Sequence, residues 1–145
     1  MRARDHVILS AGVSLGLQAT LHSWPASVAC FFSGVLIDID HYFEYYFHQG
    51  KFPTRYKELV DFCVPFTKDK VYLIFHAWEY LFVLWALIYL CHLGHVWLGL
   101  AIGLTTHLIF DQLANPMKPL AYLLIFRIQK RFEAHRILRR NTTGG

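Results

Sequence analysis

The stretch GVLIDIDHYFEYYF, residues 34–47, decides how this chain is read. It begins as an apolar segment and then places Asp38, Asp40, His41 and Glu44 within about two helical turns. No Lys or Arg lies between Asp5 and Gly50, so no cation of that region neutralises the acids. On a helical projection Asp40, Glu44, His41 and Asp38 fall in that order over an arc of roughly 160°. A regular helix cannot aim both Asp38 and Asp40 at one point, so a local distortion is expected if both serve one site.

The surrounding chain is greasy. Its 145 residues are 55% apolar and 17% aromatic, with a positive mean hydropathy. That composition predicts a single all-α unit of the membrane class rather than a water-soluble domain. The fourteen Lys and Arg residues sit in three clusters: Arg2 and Arg4; Lys51, Arg55, Lys57, Lys68 and Lys70; and seven from Lys118 to Arg140. Between them lie four runs of membrane length, at residues 6–24, 26–47, 71–90 and 95–114. The turns at Trp24-Pro25 and at 91–94 carry no Lys or Arg. Every basic cluster then falls on one side, which predicts a four-helix membrane bundle with both termini cytoplasmic. The first run lacks a small-residue cleavage site and is read as a retained helix.

The expected organisation is a transmembrane metal-site bundle over 1–116, a basic amphipathic helix at the cytoplasmic interface over 117–140, and a disordered tail over 141–145. The basic face is expected to meet anionic headgroups rather than nucleic acid. Cys30, Cys63 and Cys91 have no CxxC spacing and are read as inert small apolar residues.

Acids inside apolar spans are costly unless protonated, solvated or bound to a cation. Here they are Asp38, Asp40, Glu44, Glu79 and Asp111, with His6, His41, His76 and His107 placed similarly. With the predicted topology all nine lie toward the cytoplasmic ends of their helices, whereas chance would scatter them. His107 and Asp111 are four apart and His76 and Glu79 three apart, so each pair is expected on one helical face. His6, Ser10, Ser14 and Gln18 form an i+4 stripe expected to face the bundle interior. His22, His92 and His95 lie at the opposite end and are excluded.

Imidazole with carboxylate suits zinc, manganese or iron(II). The candidate ligands are His6, Asp38, Asp40, His41, His76, Glu79, His107 and Asp111, enough for one to three divalent ions. Glu79 or Asp40, left outside a metal shell, would act as general base. Glu44 and His48 are read as solvated residues near the membrane surface. Lys51, Arg55, Lys57, Arg127 and Arg131 are candidates for holding a substrate phosphate.

GVLIDIDH resembles the Gly-x-Leu-Pro-Asp-Ile-Asp-His signature of the YdjM-type inner-membrane metal-dependent hydrolases, distant relatives of zinc-dependent phospholipase C, with Ile37 where that family has Pro. His6 before a small-residue-rich helix, and the His107-x-x-x-Asp111 pair, are similar to that family as well. His76 stands at the last histidine of its second motif, His-Arg-Gly-x-Thr-His-Ser, the rest of which is absent. The resemblance covers about residues 6–116. It implies a metal-dependent phosphoester hydrolase in a bacterial or archaeal cytoplasmic membrane, acting on a membrane lipid. The competing expectations are a metal-ion transporter, which would need polar groups continuing to the far membrane face, and a non-catalytic metal-binding module. A second copy of the chain or another membrane protein is an expected partner.

Overall fold

The structure, a computed structural model, describes residues 3–63 and 68–139; the expected tail at 141–145 lies outside the described residues. These residues are all-helical, with two isolated bridges and no strand. The helices are α1 (Ala3–Leu21), α2 (Trp24–Leu36), α3 (Asp40–Gln49), α4 (Tyr56–Cys63), α5 (Trp78–Leu90), α6 (His95–Ala114), α7 (Leu124–Gln129) and α8 (Ala134–Ile137). Short 3-10 turns occupy Ile37–Ile39 and Pro119–Tyr122.

Local chemistry sets several boundaries. Pro25 sits in the first turn of α2, where its missing N–H costs nothing. Gly50 closes α3 in the left-handed region at φ 68°, its N–H donating to Tyr46 O. Asn115, extended at ψ 150°, ends α6 because Pro116 disfavours a helical residue before it.

The chain forms two compact units, each discontinuous in sequence. The first combines the residues up to Ile37 with Ala77–Asn115; the second combines Asp38–His76 with the described residues from Pro116 onward.

In the first unit, α2 lies against α6 with almost no side-chain layer between them. A Cβ at Gly99 would run into the backbone of Ala26, and one at Gly103 into the carbonyl of Cys30 and the hydroxyl of Ser33. Small residues four apart on both helices permit this approach, the packing found between helices in lipid. Ser33 Oγ donates to Leu100 O at 3.0 Å across the contact. Trp78 Nε1 donates to Gln112 Oε1 at 2.8 Å, tying α5 to α6.

The polarity of this unit is inverted relative to a protein in water. His6, Ser10, Ser14, Ser27, His107 and Asp111 are buried. Leu15, Trp24, Phe82 and Leu113 face outward, each about two-thirds exposed or more (66%, 66%, 65% and 74%). The serine stripe of α1 does face inward, and Gln18 accepts a hydrogen bond from Ser27 at 3.1 Å. Two helical stretches, Trp24–Gln49 and His95–Ala114, are long and apolar enough to cross a membrane.

Two expectations are corrected. The run at 71–90 is helical only from Trp78, so α5 has 13 residues and rises about 20 Å. Residues before it spend their backbone donors elsewhere: Val71 N on Phe132 O, Tyr72 N on Glu44, and Phe75 N on Asp40. The basic helix expected over 117–140 is broken into a 3-10 turn, α7 of six residues, and α8 of four. Arg131 and Phe132 adopt positive φ (54° and 58°) and turn the chain back, so that Ala134 N donates to Asp69 O. Pairing with residues 69–71 in the second unit replaces the continuous interfacial helix.

Candidate metal centre

In the first unit, α1 supplies His6 and α6 supplies His107 and Asp111. All three are buried, and one donor atom from each lies within 4.8 Å of the others. The rings of His6 and His107 stack with centroids 3.9 Å apart. His107 Nδ1 is 2.7 Å from Gly34 O, and because a carbonyl only accepts, this nitrogen carries the proton. The other ring nitrogen, Nε2, faces Asp111, 3.6 Å from its Oδ2. A proton on Nε2 or a metal ion between the two groups would each satisfy that spacing. Tetrahedral ligands about 2.0–2.2 Å from zinc lie roughly 3.3–3.6 Å apart, so the spacing fits shared coordination. His6 Nε2 approaches Asp111 Oδ1 at 3.1 Å, while His6 Nδ1 is buried with no hydrogen-bond partner.

In the second unit, Asp38 and Asp40 approach one histidine from its two nitrogens. The 3-10 turn at Ile37–Ile39 winds more tightly than an α-helix, narrowing the arc from Asp38 to Asp40 by roughly 40°. His76 Nδ1 lies 3.1 Å from Asp40 Oδ2, and His76 Nε2 lies 3.6 Å from Asp38 Oδ1. Asp40 Oδ2 also accepts the N–H groups of Phe75 at 2.7 Å and His76 at 3.3 Å. Asp40 is thus an orienting carboxylate that fixes the His76 tautomer, the usual partner of a metal-binding imidazole. Asp40 was expected as ligand or base, and its Oδ2 already serves three donors.

No family model, curated protein or solved structure matches this chain.

The remaining candidates fall in several places. His76 precedes α5 by two residues, so the one-face argument for His76 and Glu79 fails. Glu79 lies half-buried in the first turn of α5, in the first unit, outside the His6–His107–Asp111 set. His41 Nε2 is 3.8 Å from Asp38 Oδ1, and its Nδ1 is 3.6 Å from Glu44 Oε2. Glu44 is not a solvated surface residue. It is 1% exposed, bonded by Lys68 Nζ at 2.6 Å and by Tyr72 N at 3.2 Å.

Lys51, Arg55, Lys57 and Arg131 are exposed. Arg127 is fully buried, donating to the carbonyls of Leu73 and His76. It holds the backbone of the His76 segment, and its guanidinium is not placed to meet a phosphate. Sequence reasoning missed Lys68 and Cys63, both close to the acids of α3. It also missed Gly34 O, whose signal was the small-residue spacing that brings α2 onto α6.

Proposed function

We propose that this chain is an integral membrane, metal-dependent hydrolase of a phosphoester, with a membrane lipid as substrate. The observation that carries the reading is the buried His6–His107–Asp111 set, with its tautomer fixed by Gly34 O. Three nitrogen and oxygen donors are the protein share of a catalytic zinc site, which keeps a further position open. A divalent ion held there supplies Lewis acidity toward a phosphoryl oxygen and acidifies water. Zn²⁺ suits the donors best, with Mn²⁺ and Fe²⁺ next.

The residues' own contributions follow from their contacts. His6, His107 and Asp111 hold the ion in the first unit. Asp38 and His76 Nε2 offer a further pair in the second unit, oriented by Asp40 and by the Arg127 clamp. Glu79, whose Oε2 is buried, takes the role of general base. Lys51, Arg55, Lys57 and Arg131 attract anionic headgroups.

The membrane assignment is supported by the inverted polarity of the first unit and by the apolar stretches at Trp24–Gln49 and His95–Ala114. On this reading α1, α2, α5 and α6 of the first unit make a four-helix membrane bundle. Both termini face the cytoplasm of a bacterial or archaeal cell.

The test is to purify the protein in detergent, measure bound metal, and assay phosphate or headgroup release from a lipid panel with and without chelator. Wild-type should hold metal and turn over at least one lipid ester, and His107→Ala and Asp111→Asn should lose both. Metal that survives both substitutions would refute the site. Retained metal with no turnover on any lipid would refute the hydrolase and favour a non-catalytic module.

A further inference from the structure

We infer that His41, Glu44 and Cys63 form a separate, thiolate-containing site for a zinc-class cation, closed by Lys68 when no ion is bound. One donor atom from each of the three lies within 4.8 Å of the others. Two elements of the second unit build it: α3 contributes His41 and Glu44, and the last residue of α4 contributes Cys63. Sulfur, imidazole and carboxylate together match zinc and its analogues rather than magnesium or calcium.

The Lys68–Glu44 ion pair accounts for only part of this arrangement. Lys68 Nζ reaches Glu44 Oε2 at 2.6 Å and lies 4.2 Å from the centre of the Phe62 ring. Yet His41 Nδ1, 3.6 Å from the same oxygen, is buried with no hydrogen-bond partner. A buried ring nitrogen left unsatisfied beside a carboxylate and a thiol is the signature of a missing acceptor of electron pairs. The ammonium bonds Glu44 and leaves His41 Nδ1 without a hydrogen-bond partner. A metal ion satisfies all three.

Ammonium and dication repel, so Lys68 withdraws when the ion enters. Glu44 keeps its orientation through Tyr72 N on Oε1. Lysine therefore acts as a competing internal cation that weakens the site and makes its occupancy follow metal supply. The proposal does not depend on hydrolysis or on the His6–His107–Asp111 set, which contains no sulfur.

Cobalt(II) reads this site selectively, because only a thiolate ligand gives the near-ultraviolet sulfur-to-cobalt charge-transfer band. Full-length reduced protein in detergent is titrated with Co²⁺. Wild-type, His107→Ala, Cys30→Ser and Cys91→Ser should show the band, and Cys63→Ser should lose it. Lys68→Met should tighten Co²⁺ binding by about tenfold or more, since a like charge is removed at close range. A wild-type protein without the band, a band surviving Cys63→Ser, or Lys68→Met binding no tighter would each overturn the inference. Maleimide labelling of wild-type, read by mass spectrometry, gives a test independent of any variant's folding. Zn²⁺ should slow modification of Cys63, and an unchanged rate would refute the site.

Discussion

Gly99 and Gly103 allow a sharp test of the packing that positions His107. In the structure a methyl group at either glycine would enter backbone atoms of α2, at Ala26 or Cys30, and backbone cannot rotate aside as a side chain can. Overpacking of this kind costs about 1–3 kcal/mol per site, and the rigid obstacle argues for the upper end. Alanine recovers about 1 kcal/mol of helix propensity, leaving about 2 kcal/mol net for each. The double variant Gly99→Ala/Gly103→Ala adds about 1 kcal/mol if the Ser33–Leu100 bond is lost as the helices separate. The sum is about 5 kcal/mol, a large part of the stability of a typical domain. The built-in control is Gly12 on α1, where an added Cβ meets nothing within 4 Å. Gly12→Ala should be neutral or stabilise by about 1 kcal/mol. Reversible unfolding in mixed micelles, followed by circular dichroism, measures all three. If the double variant unfolds with Gly12→Ala, the close contact of α2 and α6 is wrong, and with it the Gly34–His107 bond.

Asp40→Asn should keep the fold but lower metal affinity by about 10–100-fold, the usual cost of losing an orienting partner; competition with a chromophoric chelator would show it, and unchanged affinity would remove that role. Arg127→Met strips donors from the carbonyls of Leu73 and His76 and should destabilise by roughly 2–6 kcal/mol, at about 1–3 kcal/mol per orphaned group. Faster amide exchange over residues 71–77 is the expected readout, and wild-type exchange there would contradict the clamp. The Glu58 carboxyl is held below the usual glutamate range, first by the Thr54 hydroxyl and then by the Thr54 N–H. Its stabilising share is full above the ordinary glutamate pKa and fades as pH falls through the lowered one. A carbon-13 titration of Glu58 in Thr54→Val should move the midpoint upward, and a static midpoint would exclude the hydroxyl as cause.

How far the sequence carried the reading depends on whether local or distant forces set each part. The span at 95–114 became α6, His95–Ala114, because a mostly apolar run without Pro, Lys or Arg, bounded by Gly94 and Asn115-Pro116, leaves little choice. The pairing of His107 with Asp111 followed from helical spacing alone. The helix at 71–77 failed because Glu44, Asp40 and Phe132, all far away in sequence, take its backbone donors. Arg127 looked like a surface cation because nothing near it in sequence reveals the two carbonyls it meets. Gly99 and Gly103 carried a signal that the sequence reading did not use, since small residues four apart on an apolar helix mark a close helix contact.

The Arg127 clamp also bears on how the protein is made. Its guanidinium holds Leu73 O and His76 O, and Phe132 O and Asp69 O close the same segment on its other side. A ribosome delivers His76 some fifty residues before Arg127. Until the C-terminal stretch emerges, the loop carrying His76 is held from one side alone, by Glu44 and Asp40. The first unit contains no residue beyond Asn115, so its His6–His107–Asp111 set does not draw on Arg127. The two groups of donors therefore differ in what they need: removal of residues 116–145 would leave every member of the first set in place and would take the Arg127 clamp from the second.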